Sequence, residues 1–382
     1  MKIYYVDTQE QLEEVCDHLS GSESIAVDTE FMREKSYFAQ LCLIQVANNS
    51  IIACIDPLAL SDLGPFLDIL YDPKILKIMH AARQDLEIFY DLRGEIPSPL
   101  FDTQLAATLL AFGDQVSYAN LVRELLGVDL EKSHTRTNWS QRPLEEGQLR
   151  YAEDDVRYLL EIAQRQRQEL KKMGRLDWLQ DDFADLIDIK IYRKVPAEAW
   201  RRIRGIRVLK GVQLAVLQEL AAWREDRAKT MDKPRKWILR DELLVDLARR
   251  LPKNIDTLRN MRGLEPHIYK RYGAEILEVI SSALQLPEEK WPTLGFRFTP
   301  SPEQEPLVDI MMAIVRQSGF RNGISPLTMA SRRDLEKLLT DKVEQPLLHG
   351  WRGNLIGKEL KAFLNGELSL RVKNGILEIS SI

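Results

Sequence analysis

Short apolar runs alternate with stretches of helical spacing through the first half of the chain. Ile3–Val6, Ile25–Phe31, Leu41–Ala47 and Ile51–Ile55 are rich in Ile, Val and Leu and bounded by turn residues, which predicts strands. Ile75–Met79 is a further apolar run. Apolar positions recur with helical period over Thr8–Leu19, near Leu58–Leu70, over Arg83–Leu92, over Thr103–Phe112 and over Tyr118–Leu126. Pro143, whose fixed φ suits a first helical turn, predicts the start of a longer helix running to Met173. Strands early, with helices between and after them, imply an α/β unit over residues 1–192 with a mixed central sheet flanked by helices.

Past Tyr192 the strand signals fade. Helical periodicity over residues 193–286 is broken at Gly205, Gly211, Pro234, Pro252 and Gly263, as in a bundle of four or five short helices. Residues 287–302 carry Pro287, Pro292, Pro300 and Pro302 and read as a linker. Residues 303–382 form a second helical unit, with helical spacing to 376. The two helical units resemble weak repeats: Arg240-Asp241-Glu242-Leu243-Leu244 matches Arg333-Asp334-Leu335-Glu336-Lys337-Leu338, and Met261-Arg262-Gly263 matches Trp351-Arg352-Gly353.

A chain of 382 residues is too long for one compact core, so two or three domains are expected. With 45% hydrophobic and 29% charged residues, the composition is that of a globular protein without long disorder. No stretch approaches the roughly 18 apolar residues of a membrane span. The segment Met1–Asp7 lacks a signal-like apolar block, and three scattered cysteines suit a reducing cytoplasm. Charge is unevenly spread. Residues 1–192 hold 19 Lys+Arg against 34 Asp+Glu, a net −15, whereas residues 193–284 hold 21 against 12, a net +9. Such asymmetry fits a chain that handles a polyanion, or simply one acidic domain beside a basic one.

The candidate chemistry lies in three segments. In Ile25-Ala26-Val27-Asp28-Thr29-Glu30-Phe31, strand alternation places Asp28 and Glu30 on one face. Adjacent carboxylates in an apolar strand repel each other and lose hydration; a divalent cation relieves both costs, and so does a strand end emerging into solvent. In Ile75–Phe89 an apolar strand runs into a helix with Asp85 in its first turns, where a ligand role and a helix-dipole role are both open. His80, at the junction, reads as a hydrogen-bonded structural residue. In Leu149–Leu160, Ala152, Val156 and Leu159 mark a buried stripe with Tyr151 and Asp155 one turn apart at its edge. Pattern alone does not separate Asp154 from Asp155. An oxygen-rich set without a His/Cys cluster suits Mg²⁺ or Mn²⁺.

Asp28-x-Glu30, Asp85 and Tyr151-x-x-x-Asp155, with their flanking Val-Asp-Thr-Glu-Phe, His-Ala-Ala-Arg-Gln-Asp and Tyr-Ala-Glu-Asp-Asp, resemble the ribonuclease D family of DEDD 3′→5′ exonucleases. Residues 199–284 and, more faintly, 303–376 resemble the HRDC helical domain of that family. The resemblance implies a ribonuclease H-like first domain, followed by two HRDC-like domains. It implies hydrolysis by two divalent ions (Mg²⁺ or Mn²⁺), releasing nucleoside 5′-monophosphates from RNA 3′ ends, with tRNA precursors and other structured small RNAs as the substrate class. In the family's roles, Asp28, Glu30 and Asp155 hold the ion that activates water. Asp28 bridges to the second, Asp85 supports it through coordinated water, and Tyr151 orients the nucleophile. His134, outside the helical motif, is a poor substitute for that tyrosine, which places the chain in the tyrosine branch.

Phe31, directly after the carboxylate pair, is a candidate to stack on the terminal base, with core packing as the other reading. Gln45 could contact substrate or merely end a polar row. Arg201, Arg202, Arg204, Arg207 and Lys210, and Lys229, Lys233, Arg235 and Lys236 beside Trp237, are candidate phosphate contacts, with a solvated helix face and Trp237 in the core as the other reading. Two alternatives remain: a DNA-directed repair or proofreading exonuclease, and an inactive RNA-binding protein. A chain with all its parts in one polypeptide suggests a monomer.

Overall fold

The computed structural model describes residues 1–131, 137–295, 298–340 and 345–382. His134 therefore lies outside the described residues. The predicted apolar runs become β1 (Lys2–Val6), β2 (Ser24–Met32), β3 (Gln40–Ala47), β4 (Ile51–Ile55) and β5 (Leu76–Met79), joined by β6 (Leu100–Asp102). The last is too short to show a period. They form one mixed sheet in the order β1-β4-β3-β2-β5-β6, with β2 antiparallel to β3 and parallel to β5. Helices α1 (Gln9–Leu19), α2 (Gly64–Leu70) and α3 (Arg83–Arg93) pack Leu12, Val15, Phe66, Leu86 and Phe89 against Ile25, Val27, Ile44 and Val46 on one face. The helices α4 (Thr103–Thr108), α5 (Tyr118–Leu126), α6 (Glu146–Arg157), α7 (Leu159–Lys172) and α8 (Leu179–Leu186) follow. On the opposite face, α6 sets Ala152 against Cys42, Leu43 and Cys54, and α7 joins Leu159 and Ala163 to the core that holds Ala26 and Ile78. Because strand side chains alternate, Asp28 and Glu30 face α6 and Thr29 faces α3.

The helix expected over 143–173 is two helices that part at Tyr158, and Pro143 precedes the first of them. The approach to α6 is held by Arg142, whose Nε and Nη2 donate to the two oxygens of buried Asp56 at 2.5 and 2.7 Å. The same guanidinium donates to the carbonyls of Cys42 and Trp139, and the Tyr5 hydroxyl donates to Asp56 at 2.7 Å. Burial alone would raise the Asp56 pKa, but these donors outweigh it and hold the carboxyl below its ordinary value.

The first helical unit comprises α9 (Val212–Thr230), α10 (Arg235–Ile238), α11 (Asp241–Arg250), α12 (Ile255–Arg259) and α13 (Pro266–Leu284) around Leu217, Leu220, Leu244, Leu247 and Ile276. It meets the sheet unit at Tyr37 in the β2–β3 loop. The Tyr37 hydroxyl donates to Glu225, which also receives Arg235, while Asp232 accepts the Tyr37 and Phe38 N–H groups at 2.9 and 3.1 Å. Trp291, in the Pro-rich stretch, lies within 3.2 Å of where a Cβ on Gly211 (φ +53°) would stand, so this stretch begins by packing on that unit.

The second helical unit repeats the order: α14 (Glu305–Asn322), α15 (Pro326–Met329), α16 (Arg332–Leu338), then α17 (Gly350–Arg352) running through π-type turns at Gly353–Gly357 into α18 (Lys358–Leu364). The Arg-Asp motifs fall at the starts of α11 and α16. The second pair of triplets does not coincide: Gly263 turns at φ +85° before α13, whereas Gly353 is helical. Residues beyond Leu368 are not helical. β7 (Leu368–Lys373) and β8 (Ile376–Ser381) form a hairpin across Asn374-Gly375, both at positive φ, a turn signal flanked by alternating apolar residues. This unit docks on the sheet unit by stacking Trp351 on Trp178 (5.2 Å between ring centroids) and by Arg352 pairing with Asp182 at 2.9 Å.

Candidate active site

The site lies on β2 where it pairs with β3. Asp28 sits across from Gln45 of β3, Glu30 sits across from Leu43, and a bulge follows between Glu30 and Phe31. Bulges re-aim the chain beside functional groups, and here the bulge falls immediately after the second carboxylate. From α6, the last turn brings Asp155 over the strand. One ligand atom each from Asp28, Glu30 and Asp155 lies within 4.8 Å of the others. The ambiguity at the helix is resolved by pairing: Asp154 and Glu153 both accept from Arg157, at 2.8 and 3.0 Å, which leaves Asp155 to the cluster.

Asp85 approaches from the opposite face of the sheet. It occupies the first turn of α3, is 6% exposed and accepts the Thr29 hydroxyl. It stands beside the three clustered carboxylates, close enough that its charge acts on Asp28 and Glu30, but it is not one of the three clustered atoms. Tyr151, one turn before Asp155, packs its ring 6.1 Å from that of Trp139. Phe31 is half-buried against the α1–α3 side of the core, with the Arg33 guanidinium 5.8 Å from its ring, so it lies beside the carboxylates and outside their cluster.

Burial and mutual repulsion govern the electrostatics. Burial, then the charges of Asp85, Asp155 and Glu30, holds the Asp28 carboxyl well above its ordinary range. Burial, followed by Asp155 and Asp85, pushes Glu30 up to about 8; burial and neighbouring Asp154 push Asp155 up to about 8. Burial takes Asp85 to about 7 even though the Thr29 hydrogen bond favours its ionised form. Carboxylates packed this way keep protons at neutral pH unless a cation takes their place. Gln45 adds a second sign that the site is incomplete by itself. It is fully buried beside Asp28, and neither its amide oxygen nor its amide nitrogen has a hydrogen-bond partner among the described residues. An all-oxygen set of this charge fits Mg²⁺ or Mn²⁺.

Sequence reasoning passed over two residues that frame this site, Tyr118 and Arg142; their side chains act through tertiary contacts that no local pattern announces. His80 is hydrogen-bonded through both ring nitrogens, to Thr103 at 2.9 Å and to the Val116 carbonyl at 3.0 Å, as a structural residue would be. Trp237 is 52% exposed and is not core; it borders a cleft of about 970 Å³ between the sheet unit and the first helical unit, whose walls hold more cations than carboxylates, Arg202 and Lys236 among them, while Arg33 and Lys194 pair with Glu87 and Arg235 with Glu225.

Residues 3–171 match the family model described as 3′-5′ exonuclease, and residues 213–280 match that of the HRDC domain. Fold and carboxylate cluster together define a 3′→5′ exonuclease with an appended HRDC domain. Ribonuclease D of Bartonella henselae is 37% identical over 361 residues, covering 94% of this chain and 89% of the relative. Ribonuclease D of Gluconacetobacter diazotrophicus is 38% identical over 375 residues, covering 96% and 94%. The crystal structure of Escherichia coli RNase D, an exoribonuclease involved in structured RNA processing, superimposes with a TM-score of 0.84 at 33% identity over 96% of this chain and 99% of that one. The chain belongs to the ribonuclease D family, and it is a 3′→5′ exoribonuclease, a hydrolase. Among the described residues no helix is long and apolar enough to cross a membrane.

Proposed function

We propose that Asp28, Glu30 and Asp155 hold one divalent cation, that Asp28 also reaches a second with support from Asp85, and that the enzyme releases nucleoside 5′-monophosphates from the 3′ ends of tRNA precursors and other structured small RNAs. The observation that carries this reading is the meeting of three carboxylates, with ligand atoms within 4.8 Å, from a strand and a helix far apart in sequence. When bound, such cations lower the pKa of water and neutralise charge on the attacked phosphate and the departing oxygen. The chain's own residues do the rest. Asp28, Glu30 and Asp155 give up their protons on loading and fix the scissile phosphate relative to the strand. Tyr151, held against Trp139, orients the attacking water through its hydroxyl. Phe31, at the bulge, supports the terminal base.

The basic cleft supports the RNA path. Arg33, three residues past Glu30, leads from the carboxylates into it, and Trp237 offers an exposed ring beside Lys233, 5.9 Å from its centroid. Lys and Arg neutralise phosphates, and an aromatic face stacks any base, which suits stepwise trimming without sequence preference. We assign residues 1–192 to the exonuclease domain, 193–286 and 303–382 to two HRDC-like domains and 287–302 to their connection, in a cytoplasmic monomer.

Labelled RNA and a matched DNA, each with and without EDTA, test the reading. The expected result is mononucleotide release from RNA, abolished by EDTA and by Asp28→Ala or Asp155→Ala, with RNA binding retained. Turnover that survives EDTA or either substitution overturns the site.

A further inference from the structure

The break between α6 and α7 has no cause in the local sequence. Between Gln148 and Met173 there is neither Gly nor Pro, and the helical period runs through the junction. The break is imposed from outside. At Tyr158 (φ −108°, ψ −6°) the regular bond from its N–H to the Asp154 carbonyl is replaced by the hydroxyl of Tyr118, which accepts from Tyr158 N–H at 3.3 Å and donates to the Asp154 carbonyl at 3.0 Å. A side chain inserted into the ladder is a known cause of helix kinks. Asp155 follows the carbonyl so engaged.

Tyr118 is itself anchored. Its ring lies 5.6 Å from that of His80, and His80 donates from Nε2 to the carbonyl of Val116, two residues before the tyrosine. The other ring nitrogen bonds Thr103, whose hydroxyl also reaches the Met79 carbonyl at 3.1 Å. His80 belongs to the junction from which α3 rises with Asp85. A continuous strut thus joins the segment bearing Asp85 to the helical turn bearing Asp155, although these segments lie on opposite faces of the sheet.

We infer that Tyr118, backed by His80, is a positioning residue that sets the Asp155 carboxylate against Asp28 and Glu30; this rests on the cation reading of the cluster. Without the hydroxyl, Tyr158 N–H and Asp154 C=O can pair with each other, α6 and α7 straighten into one helix, and Asp155 shifts relative to β2. The burial of the hydroxyl close to Asp155 and Asp28, which keeps it un-ionised, agrees with its role as a hydrogen-bonding wedge.

The test is Tyr118→Phe in the full chain, with Mn²⁺ binding measured by titration calorimetry without RNA, alongside kcat and KM. Partners that orient metal ligands are worth about 10- to 100-fold in affinity, so Mn²⁺ should bind about tenfold more weakly. kcat should fall about tenfold, with KM for RNA within twofold. Val122→Ala is the control: it removes buried packing from the same helix but no hydrogen bond, and should leave Mn²⁺ affinity and kcat unchanged. Equal Mn²⁺ affinity in wild type and Tyr118→Phe overturns this inference alone, as does an equal loss in Val122→Ala. Failure of the wild-type chain to bind Mn²⁺ more tightly than Asp155→Ala overturns the cation reading and this inference with it.

Discussion

Cation binding at the carboxylate cluster should release protons, and the number released is set by the structure. Asp28, held well above its ordinary range, and Glu30 and Asp155, with pKa values pushed to about 8, carry protons through most of the range from pH 6 to pH 7.5, and Asp85, at about 7, carries part of another. A cation that needs the ionised forms must displace them. For each proton released, apparent affinity rises about tenfold per pH unit, or about 1.4 kcal/mol. Between pH 6 and pH 8 a one-proton exchange gives about 100-fold, and a two-proton exchange gives more, before the dependence flattens above pH 8.

The same shifts fix the sign for the metal-free protein. Carboxyl groups whose pKa is higher folded than unfolded favour the native state at low pH. That advantage is lost as pH climbs from the ordinary carboxylate range through about 8. The metal-free protein should therefore lose stability over this window, and Mg²⁺ or Mn²⁺ should restore more of it at pH 8 than at pH 6. Calorimetric titration with Mn²⁺ at pH 7, in two buffers of different ionisation enthalpy, counts the protons directly. We expect two or more, falling in Asp155→Asn. Binding that releases no protons at pH 7, with an affinity flat from pH 6 to pH 8, would show that the carboxylates are already ionised and refute the reasoning.

Three further outcomes follow from other contacts. Tyr151→Phe should lower kcat by about 100-fold, the usual cost of a misplaced reacting group, with KM and melting temperature little changed; near-normal single-turnover rates would end its water-orienting role. Arg142→Ala leaves Asp56 buried without its main partner, so urea unfolding should show a loss of about 3 kcal/mol, and a loss under 1 kcal/mol would mean that the clamp ahead of α6 is dispensable. Trp237→Ala should weaken RNA binding about tenfold without changing the melting temperature, since the ring is half-exposed and stacking is worth about 1–3 kcal/mol per base; unchanged affinity would move the RNA path elsewhere.

Much of the sheet unit was legible because its strands are short apolar runs whose period of two needs no knowledge of the fold. Val27-Asp28-Thr29-Glu30 carries both the strand and the reason its acidic residues share a face. The C-terminal hairpin was legible in principle: Asn374-Gly375 between alternating apolar residues is a turn signal, passed over in favour of the helical spacing before it. The break at Tyr158 was not legible. Local sequence there favours one continuous helix, and the hydroxyl that interrupts it arrives from a residue 40 positions away.

The division in this protein follows the range of the forces. Alternation, helical period and charge composition act over a few residues, so the sequence by itself determined strands β1–β5, most helices, the basic character of residues 193–284 and the pairing of Asp28 with Glu30. Only the tertiary structure decided that Asp155 rather than Asp154 joins them, because Arg157 takes Asp154. It alone decided that Asp85 comes from the other face, and that Trp237 lies open on a basic cleft. Those outcomes depend on which groups are desolvated together and which find a partner first, and side chains far apart in the chain settle that only when the fold brings them together.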